Sequence, residues 1–276
     1  MKRTILLLAL TLLSGLSCAD LLVTDLVGKA EIEGKGKVNT LSDIPAGNQL
    51  RLSEGSRMTA IDTASGNEFA LRGPGLYSIE NTGPKVLKGT PIETKILPVT
   101  NLPNAKLAGG RLSMAALVMR KTTRNNIPVP VSPVNTTVLT TTPLLRWSPV
   151  EGATAYHVSL FDEAGAEVFA TRTKQTEQPL SAAAKLTHGR LYSWRVEALG
   201  PNGRFAEAAT QFSVVTEAQS RLLSLLRPGV GDGYGRRVLY ALQLQEAGVI
   251  EDARAVWKSL ADERPDDEMM QTMAAQ

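Results

Sequence analysis

The sequence predicts a mainly β protein: two successive β domains followed by a small α-helical hairpin. Three observations carry that prediction. Tyr156, Val158 and Leu160, and later Tyr192, Trp194 and Val196, alternate with polar residues at period two, the mark of half-buried strands. Between residues 20 and 98, turn signals rich in glycine recur about every eight to twelve residues, the spacing of short strands in an all-β domain. From Glu217 onward the apolar spacing becomes helical, with breaks at Pro228-Gly229, Gly248 and Pro265.

The 276 residues give room for about two domains. Met1-Lys2-Arg3-Thr4, the apolar run from Ile5 to Leu13 and the small residues Ser14-Gly15-Leu16-Ser17-Cys18-Ala19 form a secretory signal peptide pattern over 1–19, with cleavage expected after Ala19. The run is too short to span a bilayer well. Cys18 is the only cysteine and lies inside that segment, so the exported chain has no disulfide. The alternative is a lipoprotein box, with Cys18 as the lipid attachment site; Gly15 stands where that motif wants an aliphatic residue. Localisation is therefore expected to be periplasmic or secreted, with an outer-membrane lipoprotein as the alternative. The formal charge of +3 falls to +1 once Lys2 and Arg3 leave. A near-neutral chain with one short basic cluster, Arg120-Lys121-Thr122-Thr123-Arg124, lacks the basic face that nucleic-acid binding requires.

Residues 20–98 form the first β domain. Apolar alternations at Val27 to Gly34, Ile44 to Leu50, Ser56 to Ile61, Glu68 to Leu71 and Leu76 to Ile79 are separated by glycine turns. Ser65-Gly66-Asn67 is the predicted hairpin turn, because glycine and asparagine tolerate the positive φ that tight turns demand. The pieces Gly28-Lys29-Ala30, Ile44-Pro45-Ala46-Gly47-Asn48-Gln49-Leu50, Gly55-Ser56-Arg57-Met58, Ser65-Gly66-Asn67 and Leu71-Arg72-Gly73-Pro74 resemble the periplasmic FecR-type domain, named for the ferric-citrate regulator. The resemblance implies a β module that recognises another protein. The regulator itself carries an anti-sigma segment and a transmembrane helix ahead of this domain; neither pattern is read here, so the resemblance carries no expectation of direct sigma-factor control.

Residues 99–127 read as a linker in which Leu112 to Met119 fits either a short helix or a strand. Pro128-Val129-Pro130-Val131-Ser132-Pro133 is extended and proline-stiffened, a semi-rigid spacer or the lead-in strand of the next domain. Residues 128–216 form the second β domain. Trp147, Gly152-Ala153-Thr154-Ala155-Tyr156, the series Leu186, Gly189 and Tyr192, and Phe212-Ser213-Val214 resemble, in order, the landmarks of a fibronectin type III domain. That resemblance implies a sandwich and a tyrosine corner at Tyr192 whose hydroxyl needs a backbone partner. The alternation puts His157, Ser159, Ser193, Arg195 and Glu197 on the outer face.

Residues 217–276 are the helical segment, with one face built from Gln219, Leu222, Leu223 and Leu226 and further helices over 236–246 and 251–263. Ala241, Leu244, Gly248, Ala253, Trp257, Leu260 and Pro265 are spaced as in a tetratricopeptide repeat, which this segment resembles, although Tyr240 and Ala241 stand where Leu-Gly is usual. About three such units are needed to stand alone, so one unit is expected to dock on the sandwich or on another chain. The sandwich is then expected to be a spacer or platform holding the first domain and the helices apart.

No residue set makes a case for chemistry, and no catalytic, cofactor-binding or metal residue is predicted. The run from Gly229 to Gly235 has glycine spacing suited to a phosphate loop, but no strand precedes it and no Lys-Ser/Thr pair follows. His157 and His188 fall on a strand and a corner, without cysteine ligands to complete a zinc site. No Gly-x-Ser-x-Gly elbow occurs, and the paired acids Asp162-Glu163, Asp262-Glu263 and Asp266-Asp267-Glu268 sit in turns or on helix surfaces. The function expected is a non-enzymatic envelope module that recognises an envelope protein through strand edges or sandwich loops, with no nucleic-acid partner and membrane contact only through Cys18. The alternative, polysaccharide or peptidoglycan binding, requires an exposed aromatic platform. The substitution Cys18→Ser is expected to leave partition between soluble and membrane fractions unchanged; loss of membrane partition on that change would establish lipid attachment.

Overall fold

A computed structural model describes residues 20–99, 102, 127–184 and 186–276. The signal segment with Cys18, the basic cluster from Arg120 and the segment from Leu112 to Met119 lie outside the described residues. The described chain is mainly β, with four sheets and four α-helices. None of the helices among the described residues is long and apolar enough to cross a membrane.

The first domain holds β1 (Asp20–Val27), β2 (Ala30–Ile32), β3 (Gly36–Lys37), β4 (Asp43–Pro45), β5 (Gln49–Leu52), β6 (Arg57–Asp62), β7 (Asn67–Arg72), β8 (Gly75–Glu80), β9 (Gly83–Lys88) and β10 (Glu93–Ile96). They form two five-stranded sheets, ordered β10-β7-β6-β1-β4 and β3-β2-β5-β8-β9, packed about a core that includes Leu21, Val23, Ile44, Leu50, Met58, Leu71 and Tyr77. The expected hairpin joins β6 to β7: Asp62 Oδ1 accepts from the Ala64 amide at 3.0 Å and Gly66 takes φ 75°. Strand alternation is kept by β5, where Leu50 and Leu52 are buried and Gln49 and Arg51 exposed. It fails in β1, where Leu21, Leu22, Val23 and Thr24 are all buried, so this strand is covered on both faces.

The second domain is a sandwich of three strands on five. β11 (Pro130–Ser132), β13 (Leu144–Trp147) and β16 (Glu177–Pro179) face β12 (Thr136–Val138), β18 (Gly203–Val214), β17 (Leu191–Gly200), β14 (Ala155–Phe161) and β15 (Glu167–Thr173), each sheet given in spatial order. Trp147 and Trp194 lie 6.4 Å apart at their ring centres, and Tyr156 meets Trp147 edge-on at 5.5 Å. Tyr192 finds its backbone partner: its hydroxyl accepts from the Thr187 amide at 2.9 Å. Ser159 lies on the expected outer face but is only 5 % exposed there. It sits on a central strand opposite Arg195, whose guanidinium lies 5.5 Å from the Phe161 ring.

The helical segment exceeds the hairpin expected. α1 (Glu217–Leu226), α2 (Tyr234–Glu246), α3 (Ile250–Glu263) and α4 (Glu268–Ala274) follow one another. Thr216 opens α1 through a capping box with Gln219. Gly248 ends α2 at φ 75°; the Val249 amide reaches the Leu244 carbonyl and the Gly248 amide the Gln245 carbonyl, the paired bonds of a Schellman turn. The unexpected α4 starts where Asp267 Oδ1 accepts from the Met269 and Met270 amides at 3.0 and 3.2 Å.

The sandwich does not hold the helices apart from the first domain. Leu22, Leu41, Ile61, Leu97, Val99 and Leu102 of the first domain share one buried cluster with Leu226, Tyr234, Val238, Trp257 and Leu260 of the helices. Val99 and Leu102, read from sequence as linker, belong to this core. The reason is β1: its outward apolar face must be removed from water, and the amphipathic helices supply the cover. Gly235 sets the approach, since a Cβ there would stand 2.7 Å from Thr24 Oγ1. Gly235→Ala is therefore expected to destabilise the protein by about 1–3 kcal/mol, and Thr24→Ala in the same chain to recover part of that loss. Urea unfolding midpoints of the two single variants and the double variant check it.

Candidate functional site

The site with the richest chemistry is the junction where the helices meet β1. Asp25, at the outer end of the apolar run in β1, receives Arg264 from the residues after α3 at 2.6 Å, and the two side chains are only 14 % and 17 % exposed. The Arg264 guanidinium also lies 3.5 Å from the centre of the Tyr234 ring, with Arg237 at 5.5 Å from that ring. Tyr234 donates its hydroxyl proton to the Leu260 carbonyl at 3.3 Å. Burial pushes this phenol up to about 12, against the opposing pull of the Arg264 charge. Beside it, Thr40 donates to Asp267 Oδ2 at 3.3 Å, and Leu41 is held at φ 69° with its side chain in the shared core. A leucine in the left-handed region is strained, and here the packing of both bodies holds it there.

A cleft of about 370 Å³ opens next to this ion pair, between the outer face of the first sheet and the start of α2. Thr59, Ala70, Glu68, Glu93 and Lys95 form its floor, and Asp232 to Arg236 its wall. Most of its charges already have partners: Asp25 holds Arg264, Glu93 meets Arg72 at 3.3 Å, Asp232 accepts from the Gly229 amide at 2.7 Å, and Arg236 donates to the Leu225 carbonyl at 2.9 Å. Glu68 and Lys95 stand opposite each other across β7 and β10. Most of the charged side chains lining the cleft are thus held by neighbouring groups.

The glycine run that resembles a phosphate loop forms the connection between α1 and α2. The Asp232 carboxylate occupies the Gly229 amide, and Gly235 serves helix-to-strand packing. The histidines do not converge. His188 Nδ1 bonds the Val215 carbonyl at 2.8 Å, whereas His157 Nδ1 meets Glu197 Oε2 at 3.0 Å on the sandwich face. Burial by itself would raise the Glu197 carboxyl, but hydrogen bonds from His157 and Arg204, with their charges, hold it below the usual carboxylate range. Among the described residues no hydrogen bond links a serine or threonine hydroxyl to either imidazole, and no group of three or more metal-binding side chains forms.

Among the described residues, four of the seven paired acids have structural partners. Asp162 accepts from the Ala164 and Ala166 amides, Glu163 from the Leu191 amide, Glu263 pairs with Arg237, and Asp267 caps α4. All three tryptophans and all five tyrosines are buried, none more than 8 % exposed. A stacked sugar platform would have to come from phenylalanine, of which Phe205 is the exposed one at 48 %.

Sequence reasoning did not find Asp25, Thr40, Tyr234 or Arg264. One signal was available: the consecutive apolar residues Leu21-Leu22-Val23 break the alternation expected of a strand with a wet face. No family model matches the sequence, and no curated protein matches it. Among solved structures, the twitchin kinase region from C. elegans is similar over 31 % of this chain and 16 % of its own, at 18 % identity and a TM-score of 0.25. A β-glucuronidase from Ruminococcus gnavus in complex with D-glucuronic acid is similar over 32 % of this chain and 15 % of its own, at 20 % identity and a TM-score of 0.23. The chain therefore spans about a sixth of each of those structures.

Removing one partner of a mostly buried pair strands the other charge, at a cost of about 3–5 kcal/mol. Arg264→Ala is expected to lose roughly that much and to raise amide exchange along β1 and α2 while leaving β14 and β17 protected. Denaturant unfolding with hydrogen-exchange mass spectrometry reads both effects, and uniform loss of protection would show that the junction is not a separable contact.

Proposed function

We propose that the protein is an exported, non-enzymatic module of the cell envelope that recognises or scaffolds another envelope protein. The observation that carries this reading is the junction of β1 with α2 and Arg264: it fixes the first β domain and the helical unit as one body, to which Thr137 and Gly248 tie the sandwich, while leaving sheet edges and the polar cleft open. Rigid presentation of edges and loops is what recognition by strand addition or loop contact requires. The three-on-five sandwich, with Trp147 in its core and the Tyr192 hydroxyl on the Thr187 amide, supports the fibronectin type III reading of residues 128–216. Ten short strands in two sheets agree with a FecR-like reading of residues 20–98, and the packing of α2 against α3 around Trp257 with the tetratricopeptide-like spacing. The signal segment supplies the export in this reading.

Helical cover on the outward face of β1 ties recognition to the junction. In cells carrying a photocrosslinker at Phe205 or at Glu68, capture of one envelope protein is expected from the intact chain and reduced capture from Arg264→Ala. Absence of any captured protein, together with glycan binding by the purified chain, would overturn protein recognition in favour of a polysaccharide ligand.

A further inference from the structure

A strand at the end of a sheet carries a row of unpaired backbone donors and acceptors, and charges along it decide what can pair there. β10 is such a strand. Among the described residues it pairs with β7 alone, on one side, and all four of its residues are exposed, Ile96 to 78 %. The Leu97 amide donates to the Gly66 carbonyl across β7. Backbone groups alternate in direction along a strand, so Glu93 and Lys95 also turn theirs to β7, while Thr94 and Ile96 turn theirs outward. Pro91 and Pro98 bracket the segment and limit the free edge to 92–97.

We propose that this edge joins two copies of the chain: β10 pairs with β10 of a second copy, antiparallel about Thr94, so that two five-stranded sheets become one continuous sheet. The charge pattern selects this register. Centred on Thr94, Thr94 faces its own counterpart as a hydrogen-bonded pair. Glu93 then faces Lys95 of the second copy, twice by symmetry, in the closer non-hydrogen-bonded spacing. Ile96 faces Ile92, an apolar residue already packed against the first-domain core. Centring on Lys95 sets Lys95 against Lys95, and centring on Glu93 sets Glu93 against Glu93, both unfavourable. Outward-pointing groups must meet outward-pointing groups, so registers shifted by one residue do not form the ladder. Among the described residues Lys95 has no ion-pair partner, and Glu93 has Arg72 at 3.3 Å in a pair about three-fifths exposed, which exchange with a second copy displaces at little cost. The pairing stands independently of which envelope protein is recognised.

The test is the oligomeric state of the purified full-length protein by analytical ultracentrifugation across a concentration series. A short edge interface is at the weak end of specific association, so a monomer–dimer midpoint of roughly 10–100 µM is expected. Thr94→Pro removes an outward amide without touching the β7 ladder and is expected to leave monomer throughout, with an unchanged circular dichroism spectrum. Glu93→Lys alone and Lys95→Glu alone are each expected to raise the midpoint roughly tenfold, and the two together to restore it. If Thr94→Pro does not fold, the charge series decides. Monomer at every concentration, a dimer that persists in folded Thr94→Pro, or a double variant no better than the singles would overturn the proposal.

Discussion

The arrangement depends on one constraint, the two-sided burial of β1. Leu21 and Val23 face the first-domain core, and Leu22 faces the helices. A strand apolar on both faces cannot be left at a solvated sheet surface, because each uncovered leucine forfeits about 1.5–3 kcal/mol of transfer free energy. The helical segment answers the same problem from its own side. One repeat-like helix pair cannot bury its apolar stripe alone, and α2 lays Val238 and Tyr234 into the cluster that holds Leu22 and Ile61. Neither body is complete without the other.

The polar contacts at that junction select geometry more than they add stability. Arg264 and Asp25 give up most of their hydration to meet at 2.6 Å, and desolvation cancels much of their attraction. Any other seating of the helices would leave two charges buried and unpaired, which is far worse. The ring of Tyr234 under the Arg264 guanidinium narrows the choice further, since the cation–π contact adds a second requirement on where the cation sits. On the sandwich side backbone groups do the same work: the Gly248 carbonyl accepts from the Thr137 amide at 3.0 Å and from Thr136 Oγ1 at 3.2 Å, and Ser132 donates to Glu251 at 2.6 Å. The turn that ends α2 is therefore also the turn that ties it to the second domain.

What could be read from sequence follows from how local each signal is. Tyr192, Trp194 and Val196 alternate because one sheet face is wet, so their strand and its buried face were legible directly. Ser159 was placed on the right face, opposite Arg195, but its burial there is not encoded by the period of a single strand. Gly248 was legible as a helix stop, whereas α4 was missed although Asp267 ahead of Glu268-Met269-Met270 is a capping pattern; Pro265 read as the stop of the third helix, and no helix was read beyond it. Asp25 and Arg264 are 239 positions apart and each is ordinary in its own window. Their meeting is a property of docking, and only the unbroken run Leu21-Leu22-Val23 hinted that something had to lie over β1.

The same sheet connects the junction to its free edge. β1 lies under the helices, β6 and β7 follow it, and β10 closes the row, so backbone hydrogen bonds run from the clasped strand to the exposed one. Gly235 and Thr24 fix the helices on β1, and Gly248 and Thr137 fix the sandwich on the helices. A two-fold axis at Thr94 would therefore orient more than two strands: through an unbroken series of packed elements it would set the separation and direction of two complete sandwiches. The polar cleft borders both features, with Asp25 at one end and Glu93 and Lys95 at the other.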